Sequence, residues 1–175
     1  MNLADRVRSI PDHPKPGILF RDVTTLFRDA EAFRESITSL AKAYGSHQLD
    51  AVAGIEARGF ILGAPLAVAL GVGFVTIRKP GKLPSVTVGR DYTLEYGTDR
   101  VEMHVDAIKS GQRVLVVDDL LATGGTALAV VELLRDAGAV VDAAAFLVDL
   151  PELGGSSVLR GAGVEPMALI SFAGH

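Results

Sequence analysis

Apolar residues recur along this chain in two alternating rhythms. Short continuous runs, DAVAGI (50–55), GFVTIRK (73–79), RVLVVDD (113–119), VVDAAAFLVDL (140–150) and PMALISF (166–172), read as buried strands. Between several of them the spacing turns helical. Asp29 is placed to cap a helix over about residues 30–44, on which Phe33, Ile37, Leu40, Ala41 and Tyr44 share one face. GFILGAPLAVALG (59–71) predicts a second helix ended by Gly71, and a third runs from about Thr126 to Asp136 and stops at Gly138. A short N-terminal helix is expected before PDHPKPG (11–17), whose three prolines impose an extended loop. Buried apolar strands alternating with helices imply βαβ units, hence an α/β fold with a mostly parallel sheet flanked by helices.

Two segments break this rhythm. Residues 80–105, PGKLPSVTVGRDYTLEYGTDRVEMHV, alternate polar and apolar positions with Gly and Pro interruptions, the pattern of exposed antiparallel strands forming a flap. Gly81, Pro84, Gly89 and Gly97 offer it hinges. The stretch PKPGILFRDVTTLF (14–27) mixes apolar residues with Arg21 and Asp22 in neither period. Open α/β sheets bind ligands beyond the carboxyl ends of their strands, and both segments are long enough to lie over that edge.

Composition narrows the possibilities. The 175 residues carry a net charge of −4 and 49% hydrophobic side chains, ordinary for one globular domain spanning 1–175. An acidic balance gives no general attraction to nucleic acid or anionic membrane, so an anionic ligand must be held by local groups. The chain has no cysteine, which excludes disulfides, thiolate metal sites and a Cys nucleophile. The start, MNLADRVRSI, lacks the apolar core of a signal peptide, and no apolar run reaches membrane-spanning length, so a cytoplasmic location is expected. His13, His47, His104 and His175 are scattered, without metal spacing.

The most informative stretch is VLVVDDLLATGGTA (114–127). A strand ends in two adjacent acids, Asp118 and Asp119. Ala122, Thr123, Gly124, Gly125 and Thr126 then lead into a helix, whose first amides and dipole favour an anion by about 0.3–1 kcal/mol. No Lys follows the glycines, so this is not a Walker-type loop. Two carboxylates ~4 Å apart repel by roughly 4 kcal/mol at an effective dielectric near 20. They therefore need donors or a cation. A ribose 5-phosphate meets both demands, with its phosphate on the loop amides and its 2′- and 3′-hydroxyls on the acids. EARG (56–59) lies at another strand-to-helix junction and is a second anion-binding candidate.

These residues resemble the type I phosphoribosyltransferases. The similarity runs nearly end to end, through PKPGILFRDVT (14–24), GIEARGFILGAP (54–65), RKPGKLP (78–84), LEYG (94–97), the central motif and SFAGH. FRD, GKLP and LEYG together resemble the members of that family that act on adenine. The resemblance implies a type I phosphoribosyltransferase fold with an antiparallel flap over the active site, spanning about 80–105, and a base-recognition segment over about 1–28. It implies transfer of phosphoribose from 5-phosphoribosyl 1-pyrophosphate to adenine, giving AMP and pyrophosphate. Asp118 and Asp119 would then hold the ribose hydroxyls, and residues 122–126 the 5-phosphate. Glu56, Ala57, Arg58, Arg78 and Lys82 would meet pyrophosphate, with a cis peptide often found in the family at Glu56–Ala57. Leu19, Phe20 and Arg21 would bind adenine, Glu95 would serve as the catalytic acid or hydrogen-bond partner at N7, and Tyr96 would pack in the flap. Mg²⁺ would enter with phosphoribosyl pyrophosphate rather than on a dedicated protein site, and the family is usually a homodimer. Two alternatives remain open: a transferase for a 6-oxopurine, and a regulator that binds phosphoribosyl pyrophosphate without chemistry.

Overall fold

A strand buried on both faces needs apolar side chains at every position, and AVAGI (51–55) and AAAFLV (143–148) meet that demand. They become two of the five strands of a parallel sheet. The computed structural model describes residues 1–94 and 96–174. The chain begins with a 3-10 turn, Leu3–Arg6, where a helix is expected. Strands β1 (Arg8–Ile10) and β2 (Phe20–Asp22) pair antiparallel, so the unclassified FRD segment is a strand. Helices α1 (Thr24–Phe27) and α2 (Ala30–Tyr44) follow, then β3 (Ala51–Ile55), α3 (Arg58–Leu70) and β4 (Gly73–Ile77). An antiparallel ribbon comes next, β5 (Thr87–Leu94) with β6 (Gly97–His104). The second half runs β7 (Val114–Leu121), α4 (Gly125–Asp136), β8 (Ala143–Asp149), α5 (Gly155–Gly161) and β9 (Glu165–Ser171).

The sheet order is β4-β3-β7-β8-β9, every pair parallel. Alternate residues of β7 divide between two cores. Val114 and Val116 join Val130, Leu133 and Leu134 of α4, while Leu115 and Val117 join Leu40 of α2 and Leu62 and Leu66 of α3. Layers thus cover both faces, as near-continuous apolar strands require. Asp29 caps α2 as expected, its Oδ1 accepting from the amides of Glu31 and Ala32 at 3.1 Å. The buried stripe of α2 is Ala32, Ser36, Leu40 and Tyr44, with Phe33, Ile37 and Ala41 on its flank. Small residues at 32 and 36 let the helix sit close on its neighbours, and Ser36 satisfies its hydroxyl on the Ala32 carbonyl.

The ribbon differs from the exposed flap expected of residues 80–105. Val101 and Met103 of β6 are fully buried in the core beneath α4. Gly89 is no hinge either: it sits in the ladder opposite Glu102, and a Cβ there would lie 2.6 Å from the Arg100 guanidinium. Arg90 ties β5 to α4 through Glu132 at 2.7 Å and Asp136 at 2.9 Å. The root of the ribbon is core on its β6 side, while Leu94 and Tyr96 near the turn are exposed.

At the N-terminus, register places Arg8 opposite Asp22. Asp22 accepts from the Thr24 hydroxyl at 2.6 Å and from Arg8 Nη2 at 2.6 Å. Those bonds, the Thr24 one foremost and then Arg8, hold its carboxyl down to about 2. A depressed carboxylate stabilises the fold above its unfolded pKa and loses that contribution as pH falls through the folded value. In acid titrations followed by circular dichroism, the wild type is therefore expected to exceed Asp22→Asn in stability fully above pH 3.8, the two converging as pH approaches about 2.

Candidate active site

Pairing between β3 and β7 runs from Ala51–Val114 to Gly54–Val117 and stops. Beyond it β7 continues alongside β8 to Leu121–Asp149, while β3 turns into α3 after Ile55. From β3 the chain proceeds outward to β4, and from β7 it proceeds the opposite way to β8. The gap between them is the topological switch point of the sheet, where a crevice must open at the carboxyl ends.

Two helices begin at that crevice, α3 after Ala57 and α4 after Gly124, and neither has a side-chain cap. Away from the crevice, α2 does have one. The first amides of α3 and α4 are thus left to an outside acceptor, with the dipole adding to their pull on an anion. Gly124 adopts φ 86°, which brings the loop 122–126 over the start of α5. There Gly155 donates its amide to the Ala122 carbonyl at 3.0 Å, and a Cβ on Gly155 would lie 2.5 Å from that oxygen. The loop thus rests on a second bare backbone that the sequence motif does not contain.

The two acids stand at the mouth of the crevice. Asp119 is 4% exposed, and Arg58 Nε lies 2.7 Å from its Oδ2, an ion pair whose geometry is not that of a hydrogen bond. Asp118 reaches the cleft, yet the surrounding protein withholds water from its carboxyl. That desolvation, with the charge of Asp119 next to it, raises the Asp118 pKa well above the ordinary value, Arg58 opposing the shift. Gly59 permits the close approach: a Cβ there would sit 2.9 Å from Asp118 Oδ1. Across the crevice Glu56 accepts from Arg78 Nε at 2.7 Å, and the Glu56–Ala57 peptide is cis. Arg78 also donates to the Lys82 carbonyl at 3.3 Å, which fixes the root of an otherwise exposed lysine loop.

Three hollows adjoin along this edge. Ala122 to Thr126 line one of about 100 Å³ that includes Asp118. Asp118 also lines the next, about 350 Å³, with Glu56, Ala57, Arg58 and Asp119. Arg58 in turn borders the third, about 260 Å³, which is walled by Ile18, Leu19, Phe20, Arg21, Leu120, Leu150 and Leu153. Polarity therefore runs from amides through carboxylates and guanidinium to an apolar slot. Arg21 is pinned beside that slot, its guanidinium 4.1 Å over the Phe172 ring and bonded to Ser9 Oγ at 2.6 Å. A more voluminous open hollow of about 420 Å³, beside Leu3, Glu35 and Leu169, contains none of the residues of this edge.

Most residues singled out by the sequence thus meet at one edge. Tyr96 is exposed at the ribbon tip, and Glu95 lies outside the described residues. Among the described residues no group of three or more His, Asp or Glu side chains gathers as a metal site, and no helix is long and apolar enough to cross a membrane. Sequence reasoning did not find Leu120, Leu150 and Leu153. Nearby, Asp149 ends β8 and accepts from Ser156 Oγ at 3.0 Å.

Comparison with known proteins accords with this geometry. Residues 23–155 match the model of the phosphoribosyl transferase domain. The chain is 60% identical over 173 residues, 99% of its length and 96% of the relative's, to an adenine phosphoribosyltransferase of Methylorubrum extorquens. The chain belongs to the adenine phosphoribosyltransferase family. Its fold follows that of the Thermoanaerobacter pseudethanolicus family member, with a TM-score of 0.92 at 50% identity over 97% of this chain and 98% of that one. It also follows that of the Saccharomyces cerevisiae member, solved with D-2,5-dideoxy-2,5-imino-altritol 1,6-bisphosphate and adenine, with a TM-score of 0.88 at 38% identity over 95% of this chain and 96% of that one.

Two substitutions probe the site in this family member. Gly155→Ala forces a methyl against Ala122, an overpacking that costs roughly 1–3 kcal/mol. We expect lower thermal stability together with weaker binding of a phosphorylated sugar in titration calorimetry. Asp118→Asn keeps the acceptor for the Asp119 amide but removes a desolvated charge. Calorimetric melting is expected to rise, at roughly 2–4 °C per kcal/mol relieved, while kcat/KM falls.

Proposed function

We infer that this chain transfers the phosphoribosyl group of 5-phosphoribosyl 1-pyrophosphate to adenine, yielding AMP and pyrophosphate. The observation that carries the reading is the order of the three adjoining hollows: uncapped amides, then paired carboxylates, then an apolar slot. That order matches a 5-phosphate, a ribose and a purine laid end to end. That the yeast relative was solved with an imino-altritol bisphosphate and adenine supports the same pairing of a phosphorylated ligand with adenine.

In this reading the C1′–oxygen bond breaks and its electron pair leaves with pyrophosphate, while the N9 lone pair of adenine forms the new bond. Adenine's ring proton passes to the released pyrophosphate or to water, which balances the exchange. Positive charge develops on the sugar, and the carboxylates of Asp118 and Asp119 both accept from the ribose hydroxyls and favour that charge. Ala122, Thr123, Gly124, Gly125 and Thr126 hold the 5-phosphate. Arg58, Arg78 and Lys82 meet the departing pyrophosphate beside Glu56 and Ala57, so Arg58 must exchange Asp119 for phosphate oxygen. The slot formed with Leu19, Phe20 and Arg21 takes the base, and Glu95 assists at N7. Closure of the ribbon tip, with Tyr96, limits loss of the sugar cation to water.

Glu56, Asp118 and Asp119 line the central hollow and are hard oxygen donors of the kind Mg²⁺ takes beside phosphate oxygens and water. The residues therefore fit a magnesium ion brought in with pyrophosphate. Bound there, it would neutralise phosphate charge. The same reading takes the enzyme as a cytoplasmic homodimer, with the exposed apolar Ile61 and Val68 of α3 supporting contact with a second copy.

The test is a direct assay of purified protein with Mg²⁺, phosphoribosyl pyrophosphate and each purine base in turn. AMP and pyrophosphate are expected from adenine, with 6-oxopurines turned over at least about a hundredfold less efficiently. Preference for a 6-oxopurine would overturn the assignment of the base.

A further inference from the structure

Tyr92 of β5 lies where three parts of the molecule meet. The Thr126 hydroxyl, in the first turn of α4, donates to the Tyr92 oxygen at 3.2 Å. Lys79, just past β4, donates to the same oxygen at 3.0 Å. Tyr92 spends its own proton on Asp99 Oδ2 at 3.1 Å, directly across the ladder in β6, and Lys79 is ion-paired to that carboxylate as well. A phenol oxygen with two acceptances and one donation is saturated. Two residues further along, the ladder closes at Leu94–Gly97, and among the described residues of β5 Tyr92 is the last with a side-chain hydrogen bond. The anchor on its other side is Arg90, held by Glu132 and Asp136 of the same helix α4.

We propose that Tyr92 is a positioning residue that couples occupancy of the 122–126 loop to the placement of the ribbon tip. The inference rests on the reading of that loop as the 5-phosphate site. Thr126 has one hydroxyl proton, and in this structure it goes to Tyr92. A phosphate in the loop hollow, which Thr126 also lines, offers a charged acceptor that binds the proton more strongly than a phenol does. Thr126 then turns from Tyr92 to the phosphate. Tyr92 keeps Lys79 and Asp99, which are fixed to β4 and β6 and not to α4. The link between tip and helix is thereby exchanged for a link between helix and substrate, and the tip becomes free to settle over the crevice only when the loop is filled. Arg90 and the buried Val101 and Met103 hold the root in place, so the motion is confined to residues beyond Tyr92.

Tyr92→Phe tests this, since the ring keeps its packing and only the hydroxyl is lost. Ribose 5-phosphate is the probe, and hydrogen exchange at residues 93–98 is the readout. In the wild type, ribose 5-phosphate is expected to change exchange at the tip by roughly three- to tenfold, the range one uncharged hydrogen bond contributes. In Tyr92→Phe that response should vanish while ribose 5-phosphate affinity rises by a comparable, roughly three- to tenfold factor, since the phosphate no longer competes with the phenol for the Thr126 proton. In turnover, kcat should fall roughly three- to tenfold with no rise in the KM for phosphoribosyl pyrophosphate, a loss felt after binding. A variant with the wild-type tip response and wild-type kcat would reduce Tyr92 to packing and overturn the coupling alone. If ribose 5-phosphate does not bind the wild type, the loop assignment falls, and the coupling with it.

Discussion

Two carboxylates side by side at the end of a strand, in a place short of water, set the terms for the structure around them. Left alone, they would repel each other and lose the hydration that makes a charge tolerable. The fold surrounds them with partial compensation. The first turn of α3 brings Arg58 against Asp119, and that approach needs a helix without a side chain at position 59. Both α3 and α4 direct the positive ends of their dipoles toward the crevice. The compensation is incomplete: the Asp118 carboxyl still binds its proton more tightly than an ordinary aspartate. A ligand bringing hydroxyl donors completes what the protein leaves undone, so local instability and affinity are two views of one arrangement.

The rest of the edge follows from that arrangement. A cation that neutralises an acid cannot also be committed to an anion, and Arg58 stands between the carboxylates and the apolar slot. The slot itself is defined by shape. Its walls are leucines, Ile18 and Phe20, with Arg58 and Arg21 at its border and Arg21 held on Phe172 and Ser9. Charged and apolar linings are thus kept in separate hollows that meet at Arg58 and Leu120.

Much of this was legible in the residues. Continuous apolar strands, Asp29 as a cap, Gly71 as a stop and the Asp118–Thr126 motif are local signals, because each states its own backbone requirement. What escaped depends on partners far away in sequence. FRD looks aperiodic because β2 has only β1 for a neighbour and its acid is satisfied by Arg8, not by a core. The helix Gly155–Gly161 was invisible because its first residue, Gly155, answers to the backbone of Ala122, not to helix propensity. Leu150 and Leu153 form part of the slot only because β8 lies beside β7. The ribbon misled through its alternation: a polar–apolar period fits equally a strand facing water and a strand whose apolar face is roofed by a helix, as β6 is by α4.

That last point bears on how such a protein can change over time. Loops that close over active sites are commonly pictured as cassettes, exchangeable between relatives to graft a new specificity. Here Val101 and Met103 stand in the same strand as the approach to the tip, and they fill space that α4 would otherwise leave as a void. Replacing the ribbon wholesale would leave a cavity beneath the very helix whose start forms the 122–126 loop. The hairpin is therefore tied to the interior through Val101 and Met103 and to α4 through Arg90, and it must evolve together with the core beneath it.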